Sequence, residues 1–202
     1  MRFRFLTYLV YSPRGVSEIE ILSRGNMGAC KNGSIPFSTK ICEKLRESNL
    51  DDYFMDSALV PVPRSSLMLE GAVYPARIIA ETFCKNGIGN SVADCLRRTV
   101  AIPKSSGQFN AETRNSVDTH LNSLEVRPLL ISEPTIIIID DILTLGRTLL
   151  ASAIKLNEIY PEKEIKIFCP IRTRSFQKVT KIIDVSTGFM ERAANGGVRL
   201  PD

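Results

Sequence analysis

Apolar residues in this chain occur in short continuous runs, separated by segments where they recur every third or fourth position. The runs read as strands at 3–10, 57–63, 135–139 and 164–171, with a further candidate at 181–185. A short second strand is expected at 19–22. Glycine, asparagine and serine cluster over 25–34, which reads as loop chemistry. Ser38 or Thr39 is placed to cap a helix carrying Ile41, Cys42 and Leu45 on one face. A helix follows at 74–84, with Pro75 in its first turn and Asn86-Gly87 just past its end. Two more are expected at 116–124 and 148–160. In the latter, Leu149, Leu150, Ala153, Ile154 and Leu156 suit packing on a sheet. The polar stretch 104–116 reads as a flexible loop long enough to be functional, and 191–202 as a loose tail.

Strands alternating with helices imply an α/β fold with a mostly parallel sheet and helices on both faces. The run Ile136-Ile137-Ile138-Ile139 contains no polar residue, so that strand is expected to be buried on both faces. Composition supports a packed core, with 44% apolar and 24% charged residues among 202. A net charge of +4 is too mild to indicate nucleic acid. The five cysteines form no C-x-x-C pair and are odd in number, which favours reduced thiols and a cytoplasmic setting. No apolar run reaches the length of a membrane span, and the N-terminus reads as a strand rather than a signal peptide.

The central strand ends in Asp140-Asp141. In parallel α/β sheets, ligands sit beyond the carboxyl ends of the strands. Two adjacent carboxylates repel, and burying them without a partner is costly. A ligand with hydroxyl donors, a divalent cation or a nearby Lys or Arg would relieve them. The next residues, Ile142 to Thr148, lead into a helix whose free N–H groups make an anion site. Gly146 lets an oxygen-rich group approach the backbone, and Thr144 and Thr148 add hydroxyls. Hydroxyl-binding carboxylates therefore lie close to a phosphate cradle. A ribose 5-phosphate offers both features at one end of a single molecule.

The stretch IIIIDDILTLGRT resembles the phosphoribosyl diphosphate (PRPP) motif of type I phosphoribosyltransferases. It departs at Leu145, where that family usually has Thr. The segment LVPVPRSS (59–66) resembles the strand and diphosphate loop of ComF-type competence proteins and of glutamine amidophosphoribosyltransferases. LRRTVAIPKSSGQFNAETRNS (96–116) resembles the ComF segment that corresponds to a flexible loop in related enzymes. The resemblance is closest to the ComF type and covers about 58–174. The four-cysteine ribbon common at the N-terminus of ComF proteins is missing here. What the resemblance implies is a type I phosphoribosyltransferase-like core at 51–190 and a hood-like region at 1–50. A homodimer is also implied.

By that resemblance, Asp140 and Asp141 hold the ribose hydroxyls, and Thr144, Leu145, Gly146, Arg147 and Thr148 wrap the 5-phosphate. Arg64, Ser65, Ser66, Arg98, Lys104 and Ser105 face the diphosphate, with Arg114 also placed to reach it. Asp140, Asp141 and Lys104 are the implied catalytic residues. The implied reaction is displacement of diphosphate from PRPP by a nitrogenous acceptor, with Mg²⁺ bound mainly through PRPP. The alternative is a non-catalytic PRPP- or nucleotide-binding accessory protein acting in DNA uptake or handling. Plainer roles compete at single positions. Arg147 equally suits an exposed helix end, and Arg97 and Arg98 a solvated surface. His120, the only histidine, lies in a polar stretch and is expected at the surface.

Overall fold

The computed structural model describes residues 1–67, 71–103, 114–175 and 177–201. The chain opens with β1 (Arg2–Tyr11), α1 (Glu18–Lys31) and α2 (Ile35–Glu47), then a 3₁₀ turn (Asp51–Phe54). β2 (Ser57–Pro61), α3 (Pro75–Lys85), β3 (Ser91–Val92) and β4 (Leu96–Arg98) follow. Next come α4 (Val117–Ser123), β5 (Leu124–Val126), β6 (Thr135–Ile139), β7 (Ile142–Leu143) and α5 (Arg147–Ile159). The chain closes with β8 (Glu164–Thr173), β9 (Ile183–Arg192) and β10 (Val198–Arg199).

The main sheet runs β10-β9-β1-β8-β6-β2-β3. β1, β8, β6, β2 and β3 are parallel to their neighbours, while β9 and β10 add antiparallel pairing at one edge. The fold is therefore mixed α/β with a mostly parallel central sheet. β4 and β5 form a separate antiparallel pair. Ile136 to Ile139 are all 0% exposed. Ile136 and Ile138 join the core beneath Leu149, Leu150, Ala153 and Leu156 of α5. Ile137 and Ile139 join the opposite core, with Met27 of α1, Leu45 of α2 and Phe83 of α3. There Phe54 meets Phe168 edge-on at 5.0 Å and Phe83 at 5.8 Å.

Several expected elements differ. Residues 19–22 are helical, not a strand, and 25–31 belong to the same α1 rather than to a loop. Ser17 and Glu20 form a reciprocal capping box, and Ser23, Met27 and Cys30 make a buried stripe at helical spacing. That burial outweighs the poor helix propensity of Gly25 and Gly28. α2 starts one turn before the expected Ser38 or Thr39, because the Ser34 hydroxyl accepts from Phe37 N–H at 3.3 Å. The first fifty residues, expected as a hood-like region, are built into the sheet and its cover. β1 lies inside the sheet between β9 and β8, and α1 and α2 contribute to one of the two main cores. The tail expected to be loose returns as β10, where Val198 pairs with Arg192.

Two crossovers set the position of the site. β2 leads through α3 outward to β3, and β6 leads through α5 in the other direction to β8. α3 and α5 cover opposite faces. The connections therefore diverge between β2 and β6, and a crevice opens at the carboxyl ends of those strands. No helix among the described residues is long and apolar enough to cross a membrane.

Ile137→Ala is expected to lower unfolding stability by about 2–5 kcal/mol, because the interlocked Phe54, Phe83 and Phe168 of the same core limit collapse of the hole. Urea denaturation measures this. A loss well below 1 kcal/mol would contradict the two-faced burial of β6.

Candidate functional site

A cavity of about 810 Å³ occupies that crevice. Its floor is formed by the segments at the carboxyl ends of the parallel strands: Tyr11 and Pro13 at β1, Val62 and Arg64 past β2, Asp140 and Asp141 past β6, and Thr173 and Ser175 at β8. Eleven of the expected site residues line it: Arg64, Ser65, Arg98, Arg114, Asp140, Asp141, Thr144, Leu145, Gly146, Arg147 and Thr148. Ser66 is not in the lining. Ile102 N–H instead donates to the Ser65 carbonyl at 2.9 Å, and the chain bends away there. Lys104 and Ser105 lie outside the described residues. The described flanks of that segment meet beside the cavity, where Asn115 Nδ2 donates to the Pro103 carbonyl at 2.7 Å.

Asp140 and Asp141 interrupt an otherwise continuous strand. Ile139 is opposite Phe168 and Ile142 opposite Ile171, so the register on β8 is the same on both sides of the pair. Extending it sets Pro170 beside Asp141, and the β2 register sets Pro63 on the other side. Prolines offer no N–H, so the ladder has no donors there. Asp140 Oδ1 accepts from the Asp141 N–H at 2.9 Å, and the Asp141 carbonyl accepts weakly from Cys30 Sγ at 3.7 Å. Burial, and then the Asp141 charge, pushes the Asp140 carboxyl well above the usual carboxylate range. Burial raises Asp141 too, with Lys31 opposing the rise. Lys31, the last residue of α1, lines the cavity on this side. Among the described residues no Lys or Arg lies within ion-pair distance of either carboxyl.

The opposite wall is cationic. α5 begins at Gly146, whose φ of +70° lies in the left-handed region. The backbone angle favours glycine there, and a Cβ would sit 2.9 Å from Met190 Cε, the movable end of a flexible side chain. This differs from the expected reason, which was access for an oxygen-rich group. Ser17, Ser34 and Ser116 cap α1, α2 and α4 with their hydroxyls. No side chain caps α5. Its first intrahelical bond runs from Leu150 N–H to Gly146 at 2.8 Å, and the N–H groups of Arg147, Thr148 and Leu149 precede it at the cavity. Thr144 Oγ1 lies 2.8 Å from Thr173 Oγ1, which ties this loop to the end of β8.

Arg98 is buried rather than solvating a surface. Its Nε donates to the Arg64 carbonyl at 3.2 Å and its Nη1 to Ser123 Oγ. It has no carboxylate at ion-pair distance among the described residues, and burial lowers its pKa to about 10. Arg147 is half-buried, and its Nη1 donates to the Arg114 carbonyl at 2.8 Å. Arg64 Nη1 donates to the Val73 carbonyl at 2.7 Å. The Tyr74 hydroxyl donates to the Pro61 carbonyl at 3.0 Å and braces the end of β2.

His120 corrects the surface expectation. It is 4% exposed, lines the cavity, and sets Nε2 3.3 Å from Thr148 Oγ1. Burial, then the Arg98 and Arg147 charges, lowers its pKa to about 4. Lys31 and Tyr74 were also missed. For Lys31 the readable signal was the S-E-I-E capping box that starts α1. His120 had no clear signal, because α4 spans only Val117–Ser123.

No family model matches the chain, and no curated protein matches it. The chemistry of the cavity therefore carries any functional assignment.

Two of these buried groups make stability depend on pH. The folded pKa of Asp140 lies above its unfolded value, so the native state holds more protons in that window and loses stability as pH rises through it. Asp140→Asn is expected to raise stability near pH 7.5 by about 1–2 kcal/mol, or roughly 2–8 °C in Tm, with the gain shrinking toward pH 4. An unchanged or lower Tm at pH 7.5 would contradict the buried charge. His120 acts in the opposite sense. Its folded pKa is depressed, so the unfolded chain binds the extra proton between about pH 6.5 and 4. Stability is full above that window and declines by roughly 3 kcal/mol across it. Urea midpoints of the wild type should fall relative to His120→Gln as pH drops from 7 to 4, and parallel curves would rule out a neutral buried imidazole.

Proposed function

We propose that the chain binds PRPP in this cavity and transfers its phosphoribosyl group to a nitrogenous acceptor with release of diphosphate. The mixed sheet is then of the type I phosphoribosyltransferase kind. One observation carries the reading. A single cavity at the carboxyl ends of parallel strands holds an unrelieved carboxylate pair on one wall. On the other it holds a helix N-terminus and a buried Arg98, neither with a side-chain cap or carboxylate partner among the described residues. A ligand with vicinal hydroxyls and separate phosphates answers all three demands. The diol donates to Asp140 and Asp141, the 5-phosphate takes the α5 N–H groups, and the diphosphate takes the side of Arg64 and Arg98. Leu145 removes one hydroxyl but leaves its backbone N–H.

Diphosphate departs from C1 as the nitrogen lone pair arrives, through an oxocarbenium-like state. Positive charge grows on the sugar, above the carboxylates, while negative charge grows on the leaving group, beside the arginines. Fixed charges placed for both changes lower the barrier without reorganisation. Among the described residues no three His, Cys, Asp or Glu side chains converge on a metal site. Mg²⁺ prefers oxygen donors and keeps waters, so the oxygens of PRPP would hold it mainly, without a protein cage. When bound, Mg²⁺ supplies charge neutralisation for the diphosphate.

Calorimetry with PRPP and Mg²⁺ tests binding, followed by assay of diphosphate release across a panel of bases. Binding in the micromolar to millimolar range is expected, weakened about 10- to 100-fold or more in the Asp140→Asn/Asp141→Asn double variant. Absence of PRPP binding by the wild type overturns the proposal. Mutation-sensitive binding without diphosphate release overturns the transfer step and leaves a PRPP-binding accessory protein.

A further inference from the structure

We propose that His120 is a positioning residue that commits the Thr148 hydroxyl to donate a hydrogen bond to an anion at the N-terminus of α5. This rests on the anion-site reading above and assigns a role to a residue outside the motif.

His120 Nε2 and Thr148 Oγ1 lie 3.3 Å apart, and either could donate according to the tautomer. The other ring nitrogen settles which. Nδ1 is buried and has no hydrogen-bond partner among the described residues. A neutral imidazole carries one N–H. On Nδ1 it would be a buried donor with no acceptor, at a cost of about 1–3 kcal/mol. On Nε2 it donates to Thr148, and Nδ1 keeps only a bare lone pair. Orphaned buried donors are the rarer defect, so the Nε2–H tautomer is favoured.

A doubly protonated ring would restore the orphan donor. It would also face Arg98 from β4 and Arg147 from α5. Asp118, the acid on α4 itself, is exposed and pairs with Arg192 on β9. The ring therefore stays neutral and donating.

The consequence falls on Thr148. Its oxygen accepts from the imidazole, so its own hydrogen must point elsewhere. The hydroxyl has no other partner among the described residues, and Thr148 lines the cavity. An anion beside the N–H groups at the start of α5 is then an acceptor open to that hydrogen, because Thr148 lines the cavity there. A threonine hydroxyl is otherwise free to accept or donate. Here the choice is made before the ligand arrives, in the sense an anion requires.

Binding of ribose 5-phosphate, and of PRPP with Mg²⁺, is measured by calorimetry at pH 7.5 for the wild type and a variant set, with thermal melts confirming folding. Thr148→Val and His120→Phe are each expected to weaken binding about 5- to 30-fold, the value of one hydrogen bond to a charged group. The double variant should bind no more weakly than Thr148→Val alone, because the imidazole acts only through that hydroxyl. His120→Gln has an amide N–H with the reach of Nε2 and should stay within about 3-fold of wild type. His120→Asn, with the same amide but too short, should resemble His120→Phe. It keeps the test valid if the Phe variant does not fold.

Multiplicative losses in the double variant, or equal losses in the Gln and Asn variants, overturn the role of His120 and leave PRPP binding untouched. Coupled losses for ribose 5-phosphate in a protein that does not bind PRPP overturn the PRPP reading and leave this role standing. A wild type that binds neither ligand overturns both.

Discussion

The structure depends on the enclosure of β6 between two parallel neighbours and beneath helices on both faces. A strand of four isoleucines has no amphipathic alternation, so its apolar pattern cannot distinguish one register from the next. Its ends must do so. Sliding β6 inward by one residue would draw Asp140 into the apolar layer, where an unpaired carboxylate is very costly. Pro63 and Pro170 flank the pair and offer no N–H for the ladder to extend. The carboxylates therefore act as a register stop as well as a site. Placing charge at the end of the most buried strand fixes where that strand sits.

The other walls arise from polar groups committed by neighbouring elements. Ser123 ties α4 to β4, since it receives Arg98 Nη1 and donates to the Thr119 carbonyl at 2.7 Å, while its own carbonyl receives Thr99 N–H. Arg98 in turn holds the Arg64 carbonyl. β4, α4 and the loop after β2 thus move together around one buried guanidinium. Arg147 fastens residues 114 and 115 to the start of α5. Two of the cavity cations are scaffold pieces first, and their remaining donors face the cavity from fixed positions. That is preorganisation in the physical sense, because a ligand there meets groups already ordered by other bonds.

Legibility in the sequence tracked the number of neighbours an element needs. β6, α3 and α5 carry their own signals: an unbroken apolar run, a proline at a helix start, and helical spacing above a glycine. The Asp pair and the loop after it were readable for the same reason, since they adjoin in sequence. α1 was misread because Gly25 and Gly28 resemble a loop, and its helicity rests on burying Met27 and Cys30 against β1 and β6. The placement of β1 inside the sheet was not readable, because parallel pairing with β8 joins residues at opposite ends of the chain. His120 was hidden for a related reason. Its burial comes from α5 and Arg98, and a polar stretch around a seven-residue helix gives no sign of them.

On the proposed reading, charge orients the ligand before shape does. Asp140 and Asp141 occupy one side of the cavity, and Arg64, Arg98, Arg147 and the α5 dipole another. The lining carries five cations against two carboxylates, so it favours anions, and the separation of charge sets how they lie. A ligand carrying hydroxyl donors at one place and anionic oxygens at two others can relieve all walls in one pose. Reversed, it would set phosphate against carboxylate, at several kcal/mol in a partly desolvated site. Lys31 moderates the acidic side without forming an ion pair there. The pair therefore stays buried without a salt bridge among the described residues, which costs stability. The same two carboxylates set the register of β6 and, as buried charges, oppose the fold that holds them, so neither effect can be removed without altering the other.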